Sequence, residues 1–182
     1  MSEHLHRLPG DPSRDELIAR MIRVDHAGEY GARRIYEGQL AVLGRAKSAA
    51  EIRRMAEQEQ RHLAAFEKLI AERHVRPTAL SPLWHAAGFA LGAATALLGT
   101  RAAMACTVAV EEVIDEHYRR QSEALGDAEP ALKSAIDEFR RDELEHRDTA
   151  LAHGAEQAVA YPALTTAIKT ASRLAIWLST RI

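Results

Sequence analysis

Apolar positions recur every three or four residues along most of the chain, and no segment alternates with period two, so the pattern predicts helices and no sheet. Helix punctuation divides it into six. The first helix starts near Ser13 or Asp15 and runs to Gly44. The second opens on Ser48-Ala-Ala-Glu51, a capping-box pattern, and ends near His74 ahead of Pro77. Ser81-Pro82 predicts an N-cap followed by proline at the first helical position, with Gly99 closing the third helix. Thr100 is placed to cap a fourth helix ending at Gly126. The fifth runs from Glu129-Pro130 to Gly154, and the sixth follows Pro162 to the C-terminus. The first, second, fourth and fifth are long, and the third lies between the two pairs. That order suits an all-α bundle of two helical hairpins joined by a long crossover. Residues 1–12 are expected to be a flexible leader and residues 13–182 a single helical domain.

Each long helix carries charge inside its apolar stripe. In the second the stripe runs Ile52, Met55, Glu59, His62, Phe66, Leu69; in the fifth it runs Leu132, Ile136, Phe139, Glu143, His146, Ala150. Glu59-Gln-Arg-His62 and Glu143-Leu-Glu-His146 are thus two Glu-x-x-His pairs, and residues three apart share a helix face. The first helix adds Ile18, Ile22, Asp25, Glu29, Ala32, Tyr36 and the fourth Met104, Thr107, Glu111, Ile114, Tyr118. Glu29 and Glu111 are each followed by a tyrosine seven residues on and a glutamine ten residues on, Gln39 and Gln121. The whole set therefore repeats between the halves of the chain. The Tyr118 spacing favours Glu111 over its neighbours Glu112 and Asp115.

Burying lone carboxylates is costly unless they are paired or bind a metal. Four glutamates and two histidines converging in a bundle core match the di-iron or di-manganese carboxylate pattern. Imidazole among the ligands suits iron, whereas magnesium or calcium would take an all-oxygen shell. Asp25 and Asp142 are placed to orient the histidines through their second ring nitrogens. Tyr36 and Tyr118 read as core tyrosines whose hydroxyls find a partner. Glu57, Glu112, Glu116 and Glu145 read as solvated or supporting groups, and so does His117. His4, His6, His74, His85 and His153 read as ordinary surface or core histidines.

Composition removes other classes. With 24 Lys and Arg against 26 Asp and Glu the net charge is −2, so no electrostatic case exists for nucleic acid. The single Cys106 excludes a disulfide framework and thiolate metal sites, and it reads as a small buried apolar residue. Residues Met1 to Asp15 are polar, unlike a signal peptide. Leu83 to Leu98 is the most apolar stretch, yet short for a membrane span.

Three segments resemble the demethoxyubiquinone hydroxylases of ubiquinone biosynthesis: Arg23-Val-Asp-His-Ala-Gly-Glu-Tyr-Gly-Ala32, Val110-Glu-Glu-Val-Ile-Asp-Glu-His-Tyr118 and Asp142-Glu-Leu-Glu-His-Arg-Asp148. The likeness runs from about Leu17 to the end of the chain. It implies a ferritin-like four-helix bundle with a di-iron core and two additional helices. It also implies a monooxygenase that uses O2 to hydroxylate the ring of a polyprenylated demethoxyubiquinone. The family's six ligands fall on Glu29, Glu59, His62, Glu111, Glu143 and His146, two iron ions per chain are implied, and NADH is an expected reductant. The mitochondrial presequence of eukaryotic members has no counterpart, which implies a bacterial protein, peripheral on the cytoplasmic face of the inner membrane.

A long-tailed substrate makes sense of the third helix, apolar nearly all round, and of the sixth, where Trp177 and Leu174 stand among Lys169, Arg173 and Arg181. Such faces suit helices lying on anionic lipid. The competing use is simply to cover the bundle or to form a homo-oligomer interface, and a partner protein of ubiquinone biosynthesis is a further expectation. The competing function is iron handling of the ferritin or rubrerythrin kind, although the single cysteine excludes a rubredoxin-like module.

Overall fold

The computed structural model describes residues 11–182, so most of the expected leader, with His4 and His6, lies outside the described residues. Six α-helices and one 3₁₀ turn, Ala155–Gln157, make up the regular structure, and no strand occurs among the described residues. Helix α1 (Arg14–Leu43) starts as expected. The Ser13 hydroxyl accepts from the Glu16 amide, and the Glu16 carboxylate accepts from the Ser13 amide. Helix α2 (Ala49–Glu72) departs from expectation, because Ser48 has helical backbone angles and its side chain caps nothing. A capping box requires an extended N-cap, and Glu51 instead accepts from Arg54 at 3.2 Å.

Helices α3 (Ser81–Leu97), α4 (Thr100–Leu125), α5 (Pro130–Ala152) and α6 (Tyr161–Ser179) follow. The N-caps of α3 and α4 each lie one residue earlier than the sequence suggested, and α6 starts at Tyr161, ahead of Pro162 rather than after it. Leu80 and Gly99 hold the N-cap positions of α3 and α4, and Pro82 and Pro162 are the second residues of α3 and α6. Ser81 Oγ is thereby free to donate to the Thr78 carbonyl at 2.9 Å.

Helix α1 pairs with α2 and α4 with α5, forming the two hairpins; α3 lies on α1 and α6 lies on α4. The repeat thus extends past the charged residues, since each half is a hairpin with a third helix laid along its first. Backbones approach closely where α3 crosses α1. A Cβ at Gly92 would collide with the Ile35 carbonyl, and one at Gly38 with the Phe89 carbonyl. Helix α4 is buried on nearly every face from Ala102 to Val110, more than a single stripe predicts, because α6 covers its far side and α3 lies against it as well. Cys106 is buried there as expected, and burial pushes its thiol up to about 12.

Among the described residues the core forms three apolar clusters. One, with Cys106, Ala109, Val110 and Ile168, joins α4 to α6, while the other two lie among the four long helices. Of those two, one gathers Tyr36, Ile52, Met55, Met104, Val108 and Ala150. The other gathers Ile18, Ile22, Phe66, Tyr118, Leu132 and Ile136. On all four long helices the inward carboxylates fall between these two clusters.

Candidate metal centre

The structure brings all six sequence-predicted residues together. Glu29, Glu59, His62, Glu111, Glu143 and His146 are each at most 1% exposed. They form two overlapping groups, Glu29–Glu59–His62–Glu143 and Glu59–Glu111–Glu143–His146, and within each group one ligand atom per residue lies within 4.8 Å of the others. Glu59 and Glu143 belong to both groups, with Glu29 and His62 on one side and Glu111 and His146 on the other. Glu112, the neighbour set aside, pairs with Lys169 outside the site.

Electrostatics fit that use. Glu29 Oε2, both oxygens of Glu59, His62 Nδ1, Glu111 Oε2 and Glu143 Oε1 are buried without a hydrogen-bond partner. His62 Nδ1 stands 3.2 Å from Glu143 and 3.4 Å from Glu29, close enough to attract but without hydrogen-bond geometry. Buried polar atoms are nearly always satisfied in proteins, so this many orphans converging at one point suit a metal site. Burial, and then Glu143, raise the carboxyls of Glu59 and Glu111 well above the ordinary range. Burial opposes charge on His62 as well, yet Glu143 and Glu29 lift it to about 12. Glu143 is also buried, but the two histidines hold it down to about 2. Bound cations would displace the protons that these groups otherwise keep.

The supporting groups cross between the halves. The Tyr36 hydroxyl donates to Glu111 at 2.7 Å, and the Tyr118 hydroxyl donates to Glu29. Burial and the surrounding carboxylates raise both phenols well above their ordinary value, so each remains a donor. His62 Nε2 lies 3.0 Å from Asp142 Oδ2, and His146 Nε2 lies 3.1 Å from Gln58 Oε1. Both partner oxygens act as acceptors, so Nε2 donates outward and Nδ1 faces the carboxylates, where it would turn its lone pair to a bound cation.

Asp142 therefore does what its position suggested, whereas Asp25 does not. It accepts from Gln121 at 2.8 Å and meets His117 at 3.1 Å, one turn before Glu29, and touches neither clustered histidine. Gln58 takes the part expected of an aspartate and was missed by a reading confined to charged residues. Its signal was position, since Gln58 precedes Glu59 as Asp142 precedes Glu143.

An apolar groove of about 170 Å³ runs beside the cluster, between α1 and α4 on one side and α3 and α6 on the other. Gly28, Gly31 and Ala32 line it next to Glu29, while Val110 and Ile114 line it next to Glu111. Its outer walls include Ala87 and Ala171, which reach the surface.

A buried cluster of four glutamates and two histidines inside a helical bundle defines the ferritin-like class. A sequence profile described as Ubiquinone biosynthesis protein COQ7 matches residues 16–179, and the chain belongs to this family. Similar proteins include the 3-demethoxyubiquinol 3-hydroxylase of Rhodospirillum rubrum, 62% identical over 177 residues, or 97% of this chain and 84% of that one. The NADPH-dependent 3-demethoxyubiquinone 3-hydroxylase, mitochondrial, of Homo sapiens is 53% identical over 169 residues, or 91% and 78%. The 5-demethoxyubiquinone hydroxylase, mitochondrial, of Saccharomyces cerevisiae is 45% identical over 183 residues, or 91% and 78%.

Proposed function

We propose that Glu29, Glu59, His62, Glu111, Glu143 and His146 hold two iron ions per chain, and that the adjoining groove presents a polyprenylated demethoxyquinone ring to them. The chain is a ubiquinone-biosynthesis hydroxylase. The observation that supports the finer reading is that groove and cluster share two helices, since the groove is lined by Gly28 and Ala32, which flank Glu29 along α1, and by Val110, which precedes Glu111 on α4. An apolar cavity of about 150 Å³ is enough to take up a benzene, so 170 Å³ accommodates one six-membered ring.

When bound, the iron pair supplies reductive activation of O2, from which one oxygen atom goes to the ring. The protein's residues prepare that chemistry. Four carboxylates balance the charge of two ferrous ions in a medium of low dielectric. Tyr36 and Tyr118 fix the end carboxylates, Asp142 and Gln58 fix the imidazole rings, and the apolar groove walls exclude water from the ring. The reductant is a reduced nicotinamide, with NADH the expectation here and NADPH in the names of mitochondrial relatives.

The groove also indicates where substrate enters. Leu83, Ala87, Ala90, Ala94 and Leu97 form an exposed apolar stripe on α3, followed by exposed Leu98, and Leu174 and Trp177 are exposed on α6. No helix of the described residues is long and apolar enough to cross a membrane. We therefore assign this face to the surface of a membrane, the cytoplasmic side of a bacterial inner membrane, from which the ring slides between α3 and α6. The basic residues expected to grip anionic lipid are otherwise engaged. Lys169 pairs with Glu112 and Arg173 with Glu116, while Arg181 stacks 4.1 Å over Trp177. Apolar contact rather than charge then dominates the docking.

The test is a strain lacking the gene, whose lipid extract should accumulate demethoxyquinone. The wild-type gene should clear it and Glu111→Ala should not. Clearance by Glu111→Ala would remove Glu111 from the site.

A further inference from the structure

The internal repeat makes the two metal positions directly comparable, because α4 follows α1 in sequence with a shift of 82 residues and α5 follows α2 with a shift of 84. Glu29 answers to Glu111, Glu59 to Glu143, His62 to His146, Tyr36 to Tyr118 and Gln39 to Gln121. The directly clustered residues obey this symmetry fully. The groups behind the histidines break it.

His62 is backed by Asp142, a carboxylate 29% exposed in its side chain and bonded at 3.0 Å. His146 is backed by Gln58, a neutral amide, at 3.1 Å. The same Gln58 oxygen accepts from Arg54 at 3.1 Å, so a guanidinium stands behind it. In the other half the position of Arg54 is Glu138. The group behind the histidine is thus an anion at one position and, at the other, a neutral amide whose oxygen is shared with Arg54, a guanidinium that Glu51 and Glu145 already neutralise. A second break lies one turn before the end carboxylates. Asp25 with His117 stands on the Glu29 side, where their counterparts are Thr107 and Ile35.

An anionic acceptor on Nε2–H draws the proton toward itself and makes the Nδ1 lone pair a stronger donor to a metal. An amide already polarised by arginine does so far less. A fixed negative charge near a cation also attracts it, which Asp142 supplies and the neutral Gln58 does not. Resting on the di-metal reading above, we propose that the two positions are inequivalent: the one bounded by Glu29 and His62 binds its ion more tightly than the one bounded by Glu111 and His146, and Asp142 and Gln58 are the positioning residues that set the difference.

The experiment uses the full-length, iron-loaded protein, equilibrated without O2 in a series of chelator-buffered ferrous solutions, with bound iron counted at each. Mössbauer spectra of half-loaded and fully loaded samples accompany the counts. The expected result is two ions released in two steps at least about tenfold apart, with one doublet filling before a second. Asp142→Asn should weaken the tighter step by about 10- to 100-fold and bring the steps together. Gln58→Glu, which adds a carboxylate beside Arg54, should tighten the weaker step and leave the other in place. It keeps the idea testable if the aspartate variant folds poorly. Coincident steps in the wild type, or variants that move both steps alike, would overturn the inference while leaving two bound ions. Binding of one ion per chain would overturn it together with the reading on which it rests.

Discussion

Gly31 separates the groove from the metal cluster as a cause of activity. It sits in the middle of α1, lines the groove, and a Cβ added there meets nothing within 4 Å. Glycine inside a helix is less favourable than alanine by about 0.8–1.0 kcal/mol, so Gly31→Ala should stabilise the chain and raise Tm by about 2–4 °C. Gly31→Leu places four carbons in a space of 170 Å³. At about 0.8 kcal/mol per buried carbon group, the contact denied to the ring is worth about 3 kcal/mol, on the order of a hundredfold in kcat/KM. The assay compares thermal melting, bound iron and hydroxylation of a short-tailed demethoxyquinol for wild type and both variants. The expected pattern for Gly31→Leu is intact iron, undiminished Tm and activity lower by about two orders of magnitude. Normal turnover in Gly31→Leu would refute the groove as the ring's site, and a parallel loss of iron would make the effect one of the cluster instead.

Three further outcomes follow from the site and its surroundings. Glu111→Ala should lose bound iron and activity, whereas Glu112→Ala, which removes only a partner of Lys169, should keep both; iron quantitation separates them. Binding to uncharged liposomes should survive a rise in salt from about 0.1 M to about 1 M, which screens surface charge, because Lys169 and Arg173 are already paired. Flotation that depends on anionic lipid and vanishes in salt would contradict this. Chelation should destabilise the protein increasingly as pH rises from about 5 to about 8. The raised values of Glu59, Glu111 and His62 give the ion-free chain stability that is present at low pH and lost on going up. Glu143, held down to about 2, acts with the opposite sign only below its ordinary value of 4.5. Iron binding requires deprotonated ligands and strengthens in the same direction, so the Tm gap between loaded and chelated protein should widen. A constant gap would refute the proton linkage.

The helices and the cluster were legible for one reason, since both are periodic. A 3.6-residue stripe marks each long helix, and a charged residue inside the stripe marks itself as buried. The repeat of Glu29 with Tyr36 in Glu111 with Tyr118 distinguished Glu111 from Glu112 before any contact was known. What stayed hidden depends on relations between helices. The crossing of each tyrosine to the opposite half, Tyr118 to Glu29 and Tyr36 to Glu111, is not written in either segment. Nor is the diversion of Asp25 to His117, or the neutralising of the α6 cations by Glu112 and Glu116. Local signals also misled where backbone geometry intervened, as at Ser48, whose helical angles leave its hydroxyl buried and without a partner.

In the proposed function, a buried pair of iron ions delivers oxygen to a quinone ring held in the adjoining groove. Protein loaded with two ferrous ions per chain, given one equivalent of demethoxyquinol and then 18O2, should yield in a single turnover a hydroxyquinone heavier by one labelled oxygen atom. Iron oxidation without labelled product, across several tail lengths and with reductant supplied, would contradict the claim and favour an iron-handling protein.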